Sequence, residues 1–430
     1  MFKNKDKRPV FLRPGRIGSF LSIVFAGQLA YASFEAFKGS LMLPLTQALG
    51  ISLQEFSYMM SMLGIATYLY IPGGWVNNRF SIRSILVTWL CWRMVTGLII
   101  FLVPNISFSV LVAIAVSWGV WDAIGWPAVT NGVSFVSSDA DKEGKGLAMG
   151  LLESIRRSLE FVMNGIIIIM IALNPDKSQS IMKVMGVIYT LTMLPNIFAI
   201  LKYVPKNAIA KSEGESSNVA ALKGLLKVLK MPKIWMAGLA GLCLYWCYMN
   251  LIYSSAPYLS LVFNASEALS GAFGIVNTGF MGIIGGALAG YLADYVFKSS
   301  TKMLGFALGI TAIGSLLVFL LPDKSAMWLY VILLMIMSIG VFMGKAVMMA
   351  PIAELNLPES ISGSAMSVGS FLAYASIFWA PVLNAKFIEA SYGPAQGYKH
   401  VFITTVIVAV IGAICAFMLT KYTKKDKNIK

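Results

Sequence analysis

Histidine is almost missing from this 430-residue chain: His400 is the single one. That excludes a His-rich metal site, and no Cys–His spacing of the zinc-holding kind occurs. No metal and no cofactor is therefore expected. Cysteine is scarce too. Cys91, Cys243, Cys247 and Cys415 all fall inside apolar segments, which predicts free buried thiols and no disulfide. No Gly-rich loop runs into Lys-Ser or Lys-Thr, so phosphate cradling and ATP-driven work are not expected. No soluble-enzyme constellation stands out, and the buried cysteines lack a partner base. The chain does not read as an enzyme. The most telling shortage is charge: 12% of the residues are charged, against about 25% in a soluble protein.

What is present instead is apolar. Hydrophobic residues make up 58% of the chain and the mean hydropathy is +0.76. These values predict an all-α, multi-pass membrane protein embedded in the lipid bilayer. The net charge of +15 does not imply a nucleic-acid partner, because the basic residues gather in the termini and short loops. The basic start (Lys3, Lys5, Lys7, Arg8, Arg13, Arg16) leads into an apolar run longer than a signal-peptide core, with no cleavage site after it. It is read as a retained first helix.

Apolar segments predict twelve spans, near 17–45, 53–76, 84–103, 107–135, 147–172, 181–201, 234–262, 269–297, 302–321, 327–352, 362–387 and 401–420. Between the sixth and seventh the composition shifts to Lys, Ser and Glu. The expected organisation is a six-helix bundle over 1–201, a linker over 202–233 and a second six-helix bundle over 234–430. Within the linker, residues 220–229 are amphipathic and suited to the membrane surface. The tails, the linker and the 2–3 and 8–9 connectors hold most Lys and Arg, so both termini are expected in the cytoplasm.

The fifth span carries Glu153, Arg156, Arg157 and Glu160. The spacing i, i+3, i+4, i+7 puts all four on one helix face. Each charge costs roughly 3 kcal/mol to insert, so such residues face a bundle interior or a water-filled cavity. Two readings stand side by side. Glu153–Arg157 and Arg156–Glu160 form self-neutralising i,i+4 pairs, or one arginine is lent to an anionic substrate. Other polar residues inside spans are Glu35 and Lys38, Arg93, Asp122, and Lys345. Arg93 calls for a structural partner such as Asp122 or Glu153. Asp122 reads as a counter-ion to an arginine of the fifth helix or as a proton carrier. Tyr245 and Tyr248 are neighbours on one face of the seventh helix, with Tyr253 broadening that face and Trp246 and Asn250 flanking it. Such tyrosines suit a hydroxylated ligand, and core packing is the alternative. Gly282, Gly286 and Gly290 predict close helix packing.

The chain repeats itself. Gly74-Trp-Val-Asn-Asn78-Arg79 has a counterpart in Gly290-Tyr-Leu-Ala-Asp294-Tyr, and Gly146-Leu-Ala148-Met149 in Gly363-Ser-Ala365-Met366. The two offsets are nearly equal and in register with six helices per half, which predicts a duplicated architecture. The Gly-x-x-x-Asp connector between helices 2 and 3, repeated between 8 and 9, resembles the signature of the major facilitator superfamily. Gly74, Asn78, Arg79, Gly290 and Asp294 carry that resemblance as a gating motif, with Asn78 standing where an acid is usual. More narrowly the chain resembles the bacterial sulfoquinovose-porter-like branch (the YihN type), near the organophosphate porters. Lys38 with Pro44, Asp122 with Trp126-Pro127, Glu153-x-x-Arg156, Gly285-Gly286, Ala350-Pro351, the run Gly363–Phe371 and Gly397-Tyr398-Lys399 carry it.

The resemblance implies two pseudo-symmetric bundles and a secondary active transporter in a bacterial cytoplasmic (inner) membrane. The expected cargo is a small anionic, hydroxylated solute, moved by alternating access with protons or by anion exchange. The candidate substrate residues are Lys38, Arg156, Tyr245, Tyr248, Asn250, Tyr253 and Lys345. Lys345 has a second reading as a partner of Glu354. Glu35, Asp122, Glu153, Arg157 and Glu160 are candidates for charge balance or proton coupling. A monomer is expected. The alternatives are efflux of another metabolite or drug, and a non-transporting membrane sensor.

Overall fold

A computed structural model describes residues 8–37, 41–137, 144–206, 217–265, 267–322, 325–389 and 393–427. All regular elements among them are helical. Nine helical segments there are long and apolar enough to cross a membrane. The first, second and fifth of the twelve expected spans complete the set, two as broken helices and one as a long charged helix.

The expected first span divides into α1 (Ile17–Ala32), a tight turn over Glu35–Phe37, and α2 (Met42–Leu49). Asn164 donates to the Ala36 carbonyl at 2.8 Å and so satisfies backbone that the break frees. The second span is α3 (Leu53–Leu63) and α4 (Ala66–Arg79). A capping box of Ser52 and Glu55 starts α3. Then come α5 (Ile82–Leu102), α6 (Phe108–Val136) and α7 (Lys145–Leu173). The sixth span breaks into α8 (Ser178–Leu191) and α9 (Met193–Tyr203). Pro195 is the cause, since its ring leaves the Leu191 carbonyl without an N–H partner and crowds it.

The linker carries α10 (Ser217–Leu229), and α11 (Pro232–Phe263) follows with proline at its first position. The eighth span runs through α12 (Glu267–Ile275), a widened π turn over Val276–Phe280, α13 (Met281–Tyr291) and a second π turn over Leu292–Val296. After α14 (Ser300–Leu320), α15 (Met327–Val347) and the short α16 (Ala350–Ala353), the eleventh span splits into α17 (Glu359–Tyr374) and α18 (Ala380–Glu389). Finally α19 covers Pro394–Lys427.

The helices gather into two compact units. The first holds Met1–Gly144, Ser158–Val228 and Leu357–Ser367. Its core is aromatic, with Phe34, Phe37, Phe56 and Trp118 buried around Leu45, Met59, Leu111 and Met182. The second holds Lys145–Arg157, Leu229–Asn356 and Val368–Lys430. In it α14 packs on both α15 and α19, and α11 packs on α19. The first turns of α7 belong to this second unit. There Gly150 meets Gly286 and Gly290 backbone to backbone, and Ser154 Oγ donates to the Ile283 carbonyl at 2.7 Å. The glycine spacing of the eighth span serves this crossing, because a Cβ on Gly290 would stand 2.8 Å from the Leu147 Cα.

Candidate functional site

Two charged clusters lie inside the helices, one in each unit. The cluster of the second unit is built on Glu153. Helical spacing brings Arg156 and Arg157 back over it. Arg156 Nη1 lies 3.0 Å from Glu153 Oε2, and Arg157 Nε lies 3.1 Å from Oε1. Lys345, presented by α15, donates to the same Oε1. One buried carboxylate therefore holds three cations, and these four groups together carry a charge of +2. All four side chains are at most 15% exposed.

Aromatic rings from α11 line the same place. Arg157 Nη2 donates to the Tyr248 hydroxyl at 3.2 Å, and the Lys345 ammonium sits 4.9 Å from the Tyr248 ring centre. Tyr245 lies 5.2 Å from Tyr248 and meets Tyr374 of α17 edge-on at 4.8 Å. The position of Gly282 leaves room for the Arg157 stem, since a Cβ there would come within 3.1 Å of Cγ. The cluster thus sets guanidinium and ammonium groups beside tyrosine rings and a hydroxyl.

The cluster of the first unit has the opposite balance. Arg93 of α5 bonds Glu35 at 2.5 Å through Nη1 and Asp122 of α6 at 2.6 Å through Nη2. Trp89 Nε1 donates to the other Asp122 oxygen at 2.9 Å. The guanidinium lies 4.4 Å from the Trp118 ring centre and 5.2 Å from that of Tyr31. Two carboxylates face one arginine, which leaves a charge of −1 on the three groups if both acids are ionised. Glu35 Oε2 is buried with no hydrogen-bond partner among the described residues.

Several sequence-based assignments change place here. Asp122 pairs with Arg93 of the third span, where a partner on the fifth span was one expectation. Lys345 bonds Glu153, whereas Glu354 accepts from the Ser300 backbone N–H at 2.6 Å. Glu354 lies beyond the end of its span, and burial holds its pKa above the ordinary carboxylate value. Asn250 is 1% exposed, donates to Thr405 Oγ1 at 2.9 Å and accepts from Asn384 at 3.0 Å. Both ends of its amide join a chain linking α11, α18 and α19. Glu160 lies in the part of α7 that belongs to the first unit. Lys38 and the Tyr253 side chain lie outside the described residues. Arg93, expected only as a partner, is the centre of its own cluster; its mid-span position was the signal.

The repeated connectors do matching work. Asp294 accepts from the backbone N–H groups of Gly146 at 3.1 Å and Leu147 at 2.7 Å, capping the start of α7. Asn78 Oδ1 accepts from the Ser364 N–H of α17 at 2.9 Å. Its Nδ2 donates to the Ala221 carbonyl of α10 at 3.3 Å. An aspartate could make the first bond and not the second, so asparagine at 78 ties the linker helix to α4. Gly74 and Arg79 join in, as Ser364 Oγ donates to the Gly74 carbonyl at 2.9 Å and Arg79 Nε to Asn218 Oδ1 at 2.9 Å.

Comparison with known proteins agrees with this architecture. The sequence pattern of the Major Facilitator Superfamily matches residues 23–381. The inner membrane protein YihN of Escherichia coli is 31% identical over 226 residues, a match that spans 52% of this chain and 52% of YihN. The chain thus matches about half the length of that relative. The inner membrane protein YqcE of the same organism is 22% identical over 89% of each chain. Among solved structures, the E. coli fucose:proton symporter FucP superposes with a TM-score of 0.71 at 12% identity, covering 95% of this chain and 99% of FucP. A bacterial homologue of the iron transporter ferroportin in its outward-facing state gives 0.70 at 14% identity, covering 94% and 99%.

Proposed function

Because the chain belongs to the Major Facilitator Superfamily, we propose that it is a secondary active transporter for a small anionic, hydroxylated organic solute. A sulfosugar, a sugar phosphate or a related organic anion fits this description. One observation carries the reading: Glu153 is a single carboxylate shared by Arg156, Arg157 and Lys345 beside the Tyr248 hydroxyl. A sulfonate or phosphate presents several oxygens to which guanidinium and ammonium groups donate, and arginine's planar fork suits such oxygens. That FucP is a fucose:proton symporter supports a hydroxylated cargo on this fold.

The working cycle in this reading is alternating access between the sequence halves 1–201 and 234–430, joined by the linker 202–233. Both termini face the cytoplasm of a bacterial cell, and the protein acts as a monomer. The test is thermal stabilisation of the purified protein against sulfonates, sugar phosphates, carboxylates and neutral sugars. A true ligand at a hundred times its Kd should add about 2.7 kcal/mol. Stabilisation by neutral sugars alone would overturn the anionic cargo.

The Glu35–Arg93–Asp122 cluster supplies the coupling in the same reading. One arginine balances one acid, so the other is the place for a proton. Glu35 is assigned that role because one of its oxygens is unpartnered among the described residues. Glu35→Gln should abolish gradient-driven accumulation and spare substrate exchange. Asp122→Asn should impair both, since its single amide oxygen can accept from the Trp89 indole or from Arg93 but no longer from each through its own oxygen. Both rates are read in proteoliposomes with and without an imposed pH gradient. Unchanged accumulation by Glu35→Gln would remove Glu35 from coupling.

A further inference from the structure

We propose that the outer face of α10 is a docking surface for the anionic headgroups of the membrane leaflet, seated by Leu222 and Leu226 and held by Lys227 and Lys230. The rotation of α10 is fixed by its inner face. Ala221, Leu225 and Val228 are 3%, 6% and 0% exposed. Asn78 donates to the Ala221 carbonyl, and Trp75 Nε1 donates to the Asn218 carbonyl at 3.2 Å.

That rotation turns a second stripe outward. Val219, Leu222 and Leu226 follow the spacing i, i+3, i+7 and are 47%, 49% and 50% exposed. Lys227 is about 100° round the helix from Leu226, Lys230 follows directly after the last helical residue, Leu229, and both are exposed. A helix with an apolar stripe flanked by lysines is the pattern that lies in a headgroup layer, with aliphatic stems snorkelling along the interface.

The height of α10 is set at both ends. Its start is bonded to the end of α4, whose last residue is Arg79. Its last residue, Leu229, is followed almost at once by the spanning segment Pro232–Ile252. Trp235 Nε1 donates to the Leu229 carbonyl at 2.8 Å, so the junction is held. A helix pinned to the ends of two spanning helices lies at the level of lipid headgroups. A three-residue stripe is also far too small for a stable protein interface, which needs about 800 Å² on each partner. The positive flank selects anionic lipid over neutral lipid. Each lysine near an anionic surface is worth about fivefold in affinity, so the pair is worth about 25-fold.

The experiment uses the full chain with phosphatidylglycerol as the probe. A nitroxide at Leu222→Cys is read in bilayers containing phosphatidylglycerol and in pure phosphatidylcholine. Binding of spin-labelled phosphatidylglycerol is measured for wild type, Lys227→Gln/Lys230→Gln and Leu222→Ser/Leu226→Ser. All substituted residues are exposed, so the fold should persist. The expected result is a label shielded from an aqueous nickel chelate when phosphatidylglycerol is present. The lysine variant should bind the lipid about 25-fold more weakly, and the leucine variant should leave the label water-exposed at its neighbour Val219→Cys. Soluble glycerol phosphate should not compete. Equal lipid binding by the lysine variant overturns the proposal. So does a label exposed to water in both bilayers, competition by glycerol phosphate, or dipolar broadening between labels on two copies.

Discussion

Glu153→Gln is expected to destabilise the ligand-free protein by about 3–5 kcal/mol, the usual cost of removing one partner from a buried ion pair. Glutamine keeps the shape of the side chain. It removes the one negative charge bonded in common to Arg156, Arg157 and Lys345. The bonds that all three cations make to that carboxylate are then weakened together. An anion that binds among them should restore much of the loss, so the variant should melt low in ligand-free buffer and recover as a sulfonate or phosphate ligand is added. Wild type should gain less from the same ligand. If the variant's melting temperature is unmoved by every anion tested, the cluster is a helix-to-helix brace and not a binding place.

The two arginines separate the roles further. Arg157 bonds both Glu153 on its own helix and Tyr248 on α11. Arg157→Lys loses the fork that reaches both, so ligand-free stability should fall. Arg156→Lys keeps the charge and should leave ligand-free melting nearly unchanged. It should weaken anion binding about ten- to a hundredfold, the worth of one charge-assisted contact of roughly 1.5–3 kcal/mol. Affinity and melting temperature for both variants decide it. Anion binding by Arg156→Lys as tight as wild type would pass the anchoring role to Lys345 or Lys38.

Membrane span positions were legible in the sequence because length and hydropathy decide them. The breaks were not legible in that pattern, which gives 181–201 as one span. The interruption between α8 and α9 falls beside Pro195, but Pro72, Pro127 and Pro257 lie inside unbroken helices. The turn at Glu35–Phe37 has no comparable local signal, since Asn164, far along the chain, helps satisfy its backbone. The charged clusters show the same limit. Helical spacing puts Glu153 within reach of Arg156 and Arg157, but the third cation comes from Lys345, 192 residues away. Likewise Arg93, Glu35 and Asp122 sit on three separate elements, and no spacing rule joins them. Asn250 shares a helix with the tyrosines, yet its amide points into a closed chain with Thr405 and Asn384. Period alone tells which residues share a face, not what that face meets.

The glycine crossing of α7 on α13 gives the second large effect. A Cβ on Gly286 would lie 2.8 Å from the Gly150 carbonyl oxygen and 2.8 Å from the Ser154 backbone nitrogen. Both obstacles are backbone, so no side-chain rotation relieves them. Overpacking of this kind costs typically 1–3 kcal/mol. If alternating access requires α7 and α13 to meet and part, Gly286→Val should disfavour the packed arrangement by that amount, a shift of about five- to 150-fold in population. The Ser154 hydroxyl bond to the Ile283 carbonyl would be lost with it. Spin labels at Leu151→Cys and Ile284→Cys, on α7 and α13, read the separation directly. The expected result is a longer and broader distance in Gly286→Val, with transport reduced about five- to 150-fold. Gly286→Ala should fall between, since it adds the clash without the extra methyl groups. A label distance and transport rate equal to wild type in Gly286→Val would mean that the close crossing is no part of the transport cycle.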